Sequence, residues 1–205
     1  MAHPAPPALP RRSPRPFWGP PWSLRLGIMA LLVAGSWAIA PPQAQGRNGP
    51  GCAAVIQDQG RPTINQAHIF CGLFRRGNPV GFHARPGGRN PSTVARLRIT
   101  QSPDARGIYG IEWSHVENPN RPKFSTMFPD RCTASQVLTS VRHAATTPSR
   151  CPAGAPSWAW CGTNQPANLT AAIANRYCRS NNGAPFTIAG ATLNDGTINT
   201  AFPLR

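Results

Sequence analysis

The chain has 205 residues, with 21 Lys and Arg against 6 Asp and Glu, and a formal net charge of +15 at pH 7. That length holds one ordinary domain with a real core and excludes two comfortable ones. A charge this positive exceeds what solubility needs and implies an anionic partner: nucleic acid, anionic lipid or an acidic glycan.

Residues 1–25 are rich in proline and arginine, and an uncharged run, LGIMALLVAGSWAIA, follows at 26–40. A positive start, a short apolar centre and a small-residue end predict a secretory signal peptide, with residues 1–45 as signal and start of a linker. The run is short for a membrane-spanning helix, so an uncleaved anchor is the minority alternative. The expected location is secreted or periplasmic, with no membrane association once the signal is cleaved. From residue 46 onward sixteen arginines and one lysine stand against six acids, a formal +11. The arginines are dispersed (Arg75, Arg76, Arg85, Arg89, Arg96, Arg98), which fits a folded basic face better than a disordered arm. A peripheral membrane protein would need an amphipathic basic helix, and none is visible.

Residues 46–61, rich in Pro, Gly and Gln, read as a linker that Cys52 staples to the body; the domain proper is 62–205. Apolar residues at helical spacing in TINQAHIF predict a short helix within 62–73. Residues 74–92, full of Gly, Pro and Arg, read as a loop. Partial alternation predicts strands at 93–101 and 108–116, and a third at 123–128 that stops at Pro129-Asp130. Thr133 offers an N-cap for a helix over 134–145, with Val137, Leu138 and Val141 on one face. A second helix is expected at 169–178. Residues 185–193 and 197–204 form a hairpin about Asn194-Asp195-Gly196, whose Asp-Gly step is a turn signal. Strands in runs rather than alternating with helices imply an α+β fold: antiparallel β-sheets with flanking short helices.

All six cysteines (Cys52, Cys71, Cys132, Cys151, Cys161, Cys178) follow the signal, and an even number in an exported chain predicts disulfides. Fifteen pairings are open. Cys71, three residues from His68, is expected to fix that segment by a disulfide rather than act as a nucleophile. No CxxC pair or ligand-spaced histidines support a zinc site.

Lys123 is the only lysine, against twenty arginines. Arginine codon bias alone could leave one stray lysine, but a compact ammonium on a flexible stem suits a point charge that must reach a phosphate. Upstream lie His68, in Ala67-His68-Ile69-Phe70-Cys71-Gly72, and His83, in the Gly-rich Gly81-Phe82-His83-Ala84-Arg85-Pro86-Gly87-Gly88. Two imidazoles and an ammonium suffice for metal-free RNA transesterification: one imidazole deprotonates the 2′-OH, the other protonates the leaving 5′-oxygen, and the lysine stabilises charge on the phosphoryl group. Taken bare, two loop histidines more often serve structure. His115 and His143 are read as structural, and Trp158 and Trp160, beside cysteines, as packing a small core rather than as a stacking platform.

The His68 segment with its glycine, the His83 loop, the run Lys123-Phe124-Ser125-Thr126-Met127-Phe128-Pro129-Asp130 and the terminal Thr200-Ala201-Phe202-Pro203-Leu204 together resemble the EndoU family of endoribonucleases. That family includes exported bacterial toxins, eukaryotic poly(U)-specific enzymes and the coronavirus uridylate-specific endoribonuclease. The resemblance spans about residues 62–205. It implies His83 as general base, His68 as general acid (the labels are exchangeable) and Lys123 as electrostatic stabiliser. Thr200 and Phe202 would bind substrate, with Ser125 and Thr126 either contacting a phosphate or base or serving as plain sheet positions. The implied function is an exported endonuclease on single-stranded RNA, cutting at uridylates to leave 2′,3′-cyclic phosphate and 5′-OH ends. No cofactor is required, Mn²⁺ stimulation is known in some relatives, and a cognate immunity protein is a conjectured partner. Phe202 departs from the family's usual tyrosine and loses a hydroxyl that could hydrogen-bond the substrate. The competing reading is a non-catalytic basic protein binding RNA or another anionic polymer on a degenerate EndoU fold.

Overall fold

The computed structural model describes Cys52 and residues 56–205, so the signal peptide expected at 1–45 lies outside the described residues. Two cores divide the molecule. The smaller lies under an antiparallel meander of β3 (Val94–Gln101), β4 (Tyr109–His115) and β5 (Asn118–Met127). Strict alternation puts Tyr109, Ile111 and Trp113 on one face of the central strand, where they pack with Phe82 and Met127. β5 begins five residues before the expected third strand and contains Pro119 and Pro122. It tolerates them because it is an edge strand, where a missing N–H need not break a ladder.

The larger core is built on α1 (Ala134–Thr146) and a four-stranded antiparallel sheet in the order β6 (Pro148–Ser149), β7 (Trp160–Thr163), β8 (Thr187–Thr192), β9 (Ile198–Pro203). Thr133 caps α1 as expected, in a capping box: its hydroxyl accepts from the Gln136 backbone N–H at 3.2 Å, and the Gln136 side chain accepts from the Thr133 N–H at 2.9 Å. Val137, Leu138 and Val141 then face the core. The β8–β9 hairpin turns at 194–196 as its sequence predicts, with the Asp195 side chain accepting from the Thr197 N–H at 2.9 Å.

Three expectations are corrected. The helix expected within 62–73 is only a single π-helical turn, Ala67–Cys71, because Ile64 instead bridges Ile198 on β9. The loop expected at 74–92 contains a hairpin, β1 (Leu73–Arg75) with β2 (Asn78–Val80), and a 3₁₀ turn, Pro86–Gly88. The helix expected at 169–178 shrinks to α2, Ala171–Ala174, since Cys178 is drawn into a disulfide and its N–H is taken by Ser140 Oγ at 2.9 Å. The short strands β6 and β7 carry no sequence signal beyond a few residues.

Every cysteine is paired: Cys52 with Cys71, Cys132 with Cys178 and Cys151 with Cys161. Cys71 therefore does anchor the His68 segment, and Cys52 staples the residues before the domain. Residues 56–66 are pinned further by a reciprocal pair of 3.0 Å bonds between Gln66 and the Ile56 backbone, and by an Asp58–Arg142 ion pair. Among the described residues no helix is long and apolar enough to cross a membrane.

Candidate active site

The site forms where the two cores meet. The π turn that carries His68 receives the chain at 82–84 as backbone partner: Phe82 N–H donates to His68 O at 2.7 Å, and His83 and Ala84 N–H groups donate to Ile69 O at 2.7 and 3.1 Å. The approach is so close that a Cβ on Gly81 would stand 2.0 Å from His68 O and 2.6 Å from its Cδ2. Gly81 also has φ +74°, so glycine is required on both counts. Phe82 adopts φ +61° although it is bulky, a conformation costing about 1–2 kcal/mol. Complete burial of its ring against Trp113, with centroids 5.2 Å apart, holds it there. The backbone strain thus sits between the two histidines.

His83 is 7% exposed, and its Nδ1 lies 3.1 Å from Thr126 O on β5. A carbonyl oxygen can only accept, so Nδ1 carries the proton and Nε2 keeps its lone pair. Burial, together with the positive charge of Lys123, holds the His83 pKa well below the ordinary value, against the opposing pull of the Thr126 carbonyl. Burial and then the charges of Lys123 and Arg75 lower His68 to about 4. Both imidazoles are therefore neutral in the free protein at pH 7.

Lys123 projects from β5 into the same region. Its Nζ donates to Ser125 Oγ at 2.7 Å and to Gly81 O and Phe124 O, each at 3.1 Å. All three ammonium donors face neutral acceptors, and burial alone lowers its pKa to about 8. Ser125 completes the support. Its hydroxyl accepts from Trp113 Nε1 and donates to Gly81 O, both at 3.1 Å, and the residue is 2% exposed. Of the two readings open for Ser125, the plain sheet position is the one its burial fits: it braces Lys123 from beneath and offers no surface to a substrate. Thr126 reaches the site through its carbonyl, which no side-chain pattern could have signalled; its hydroxyl is buried without a protein partner.

From the four-stranded sheet, Thr200 and Phe202 lie two apart on β9 and so on one face. The Phe202 ring sits 5.2 Å from the His83 ring, at an interplanar angle of 32°. Thr200 is 8% exposed. Trp158 was expected to pack inside. Instead it is 59% exposed and meets Phe202 edge-on at 6.1 Å, standing on the loop closed by the Cys151–Cys161 disulfide. Trp160 does pack against the larger core, with Nε1 donating to Thr192 Oγ1 at 3.1 Å. His115 is buried and stacked on Phe74, and His143 caps α1 through its carbonyl; neither joins the site. Among the described residues no group of three His, Cys, Asp or Glu side chains could hold a metal ion.

The site thus brings together two neutral imidazoles, one buried ammonium and an aromatic ring. A family model described as bacterial EndoU nuclease matches residues 62–205. The chain belongs to the EndoU family. Comparison with curated proteins and with solved structures finds no match. The EndoU assignment covers both cores and every candidate site residue from His68 to Phe202.

Proposed function

We propose that this EndoU nuclease is an endoribonuclease that cleaves single-stranded RNA at uridylates by attack of the ribose 2′-OH on the adjacent phosphorus. The observation that carries the reading is the fixed tautomer of His83, whose Nδ1–H is spent on Thr126 O. Its Nε2 lone pair is left to accept the 2′-OH proton, which makes His83 the general base. The 2′-oxygen forms its bond to phosphorus as the P–O5′ bond breaks, leaving a 2′,3′-cyclic phosphate. The departing 5′-oxygen takes a proton from His68 and leaves as a hydroxyl.

His68 must therefore be protonated when substrate is bound, although it is neutral in the free protein. The bound phosphate supplies the reason. Its negative charge offsets both the desolvation and the Lys123 field that lower the His68 pKa. Lys123, already desolvated and held by three neutral acceptors, stabilises the charge that gathers on the non-bridging oxygens. Phe202 offers its ring to the base beside His83, and Thr200 lies on the same strand face. Three disulfides support action in an oxidising compartment outside the cytoplasm.

The test is an RNA oligonucleotide with a single uridine, in EDTA, beside a copy in which that uridine is 2′-deoxy. Cleavage of the first alone, with a cyclic phosphate end, is the expected result. Cleavage of both would exclude 2′-OH chemistry. Cleavage of neither, even with Mn²⁺ added, would leave a binding protein.

A further inference from the structure

The outer face of the meander, turned away from the smaller core, carries two in-register rows that the nuclease site does not use. One row is Arg98, Glu112 and Phe124; the other, two residues along, is Arg96, Ser114 and Pro122. Between them lies a cavity of about 300 Å³, lined by Arg96, Arg98, Glu112, Ser114, Asn120 and Pro122. The Ser114 hydroxyl at its floor is buried and has no hydrogen-bond partner in the protein. On the far side of the Glu112 row from this cavity, Phe124 is 48% exposed, its ring laid over Gly110, where a Cβ would come within 2.8 Å of it. An exposed aromatic ring on the same face as two arginines, with an unsatisfied hydroxyl in a hollow of mixed polarity, is a surface suited to a partner that stacks and carries negative charge.

We propose that this face is a second RNA-binding site, which holds single-stranded nucleotides flanking the scissile bond; it rests on the endoribonuclease reading above. Phe124 stacks a base, Arg96 and Arg98 bind phosphates, and the cavity over Ser114 admits a sugar or base edge. Charge selects this occupant. Glu112 is already held by Arg98 at 2.7 Å in an exposed pair that a phosphate can displace cheaply, and among the described residues Arg96 makes no ion pair. Position selects it too. Alternation turns Phe124 to the opposite face of the edge strand β5 from Lys123, so the two are separated only by that edge, and the arginines lie two strands further, about 10 Å across the sheet. A strand leaving Lys123 over the β5 edge meets the ring first and the guanidinium groups next.

The test compares the wild-type protein with Arg96→Gln/Arg98→Gln and with Phe124→Leu. Binding is read on a 2′-O-methyl oligonucleotide that cannot be cleaved, across a range of salt. Removing both arginines reduces the slope of log affinity against log salt by about 1.4, from ~0.7 per phosphate contact on single strands. Phe124→Leu weakens binding about tenfold with the slope kept, the loss of one stacked base. In cleavage, the ratio of kcat/KM on a long oligonucleotide to that on a dinucleotide falls in both variants. Unchanged slope, affinity and ratio would overturn the proposal and leave the face to a protein partner. If the wild-type protein cleaves neither substrate, the endoribonuclease reading fails, while the salt slopes still decide for or against the face.

Discussion

The half of the molecule built on α1 and the four-stranded sheet contains all three disulfides; the meander half contains none. The first brings His68 and Phe202 to the site, the second Lys123 and the carbonyl that orients His83. Each half therefore holds an incomplete set, and the candidate residues come together only where the chain at 81–84 joins the halves by backbone bonds. The meander stays rigid without a crosslink because its core is nearly all ring and long aliphatic, with Phe82, Trp113, Ile111 and Met127 at 0–1% exposure. The other half has the larger core but joins it from short strands, a four-residue helix and long loops, and its three crosslinks tie those irregular segments to the core.

The sharpest way to break this comparison is at the seam. His83→Ala removes the proposed general base and is expected to lower kcat about 10²–10⁴-fold, with affinity for uncleavable RNA retained. Loss of binding in step with cleavage would instead place His83 in ground-state recognition. Lys123→Ala should cost about 10²–10³ in kcat. Its pH profile is more telling. The Lys123 pKa is lowered to about 8, so in the free enzyme the ammonium loses its proton as pH rises through that value, and kcat/KM falls with it. Lys123→Arg cannot deprotonate in this range. It should keep part of the activity and lose the alkaline limb near 8. A limb that persists in the variant would belong to another group.

The crosslinked half can be weakened selectively. Replacing Cys132 and Cys178 by Ala opens a loop with sequence separation 46 and should cost about 4 kcal/mol, against about 3 for Cys52–Cys71 with separation 19. Activity should rank the other way in protein that is still folded. Cys71 ends the turn carrying His68, so its release moves the proposed general acid, while Cys132 lies at the foot of α1. Unfolding midpoints and kcat measured on both variants decide it; equal losses of kcat would mean that the turn keeps its shape through the 82–84 backbone bonds alone.

Acid stability should separate the halves by a similar amount. His68 titrates at 6.5 when unfolded and about 4 when folded, so between those values the unfolded chain binds the extra proton and stability rises with pH. Lowering the pH from 7 through this window therefore costs up to about 3 kcal/mol from His68, with a further loss in the same direction from His83. His68→Gln should flatten the dependence of the unfolding free energy on pH across that range. No flattening would mean that the His68 imidazole is solvated.

What was readable in the sequence follows the same division. The β3, β4 and β8–β9 segments, the Thr133 N-cap of α1 and the anchoring of the His68 segment by Cys71 were all local signals: alternation, an Asp-Gly turn, a threonine before an apolar helical face, a cysteine three residues past a histidine. What was not readable depends on partners far away in sequence. TINQAHIF has helical spacing, yet Ile64 is taken by Ile198 more than a hundred residues on, and only one turn survives. The candidates His68, His83 and Lys123 were named on the resemblance of their segments to the EndoU family, and the structure brings them together. The carbonyl of Thr126 and the bracing by Ser125 could not be named in advance, since a backbone acceptor leaves no mark in composition.

Trp158 is where sequence reasoning and structure part most usefully, and where the smallest effect is expected. Its neighbours Cys151, Trp160 and Cys161 suggested a packed interior, but the short disulfide loop turns the indole outward beside Phe202. The ring meets Phe202 on its edge and, among the described residues, makes no ring contact with His68 or His83, a position from which it can limit how a stacked base tilts. Trp158→Ala should therefore leave kcat on a saturating oligonucleotide within about twofold while raising KM about fivefold, the lower end of what one stacked base contributes. Reduction of Cys151–Cys161 by a Cys→Ser pair should reproduce most of that KM change without touching the indole, because a freed loop no longer holds it against Phe202. If kcat falls instead, the indole is fixing Phe202 and, through it, the His83 ring 5.2 Å away, and the aromatic wall belongs to the catalytic half of the seam rather than to substrate binding.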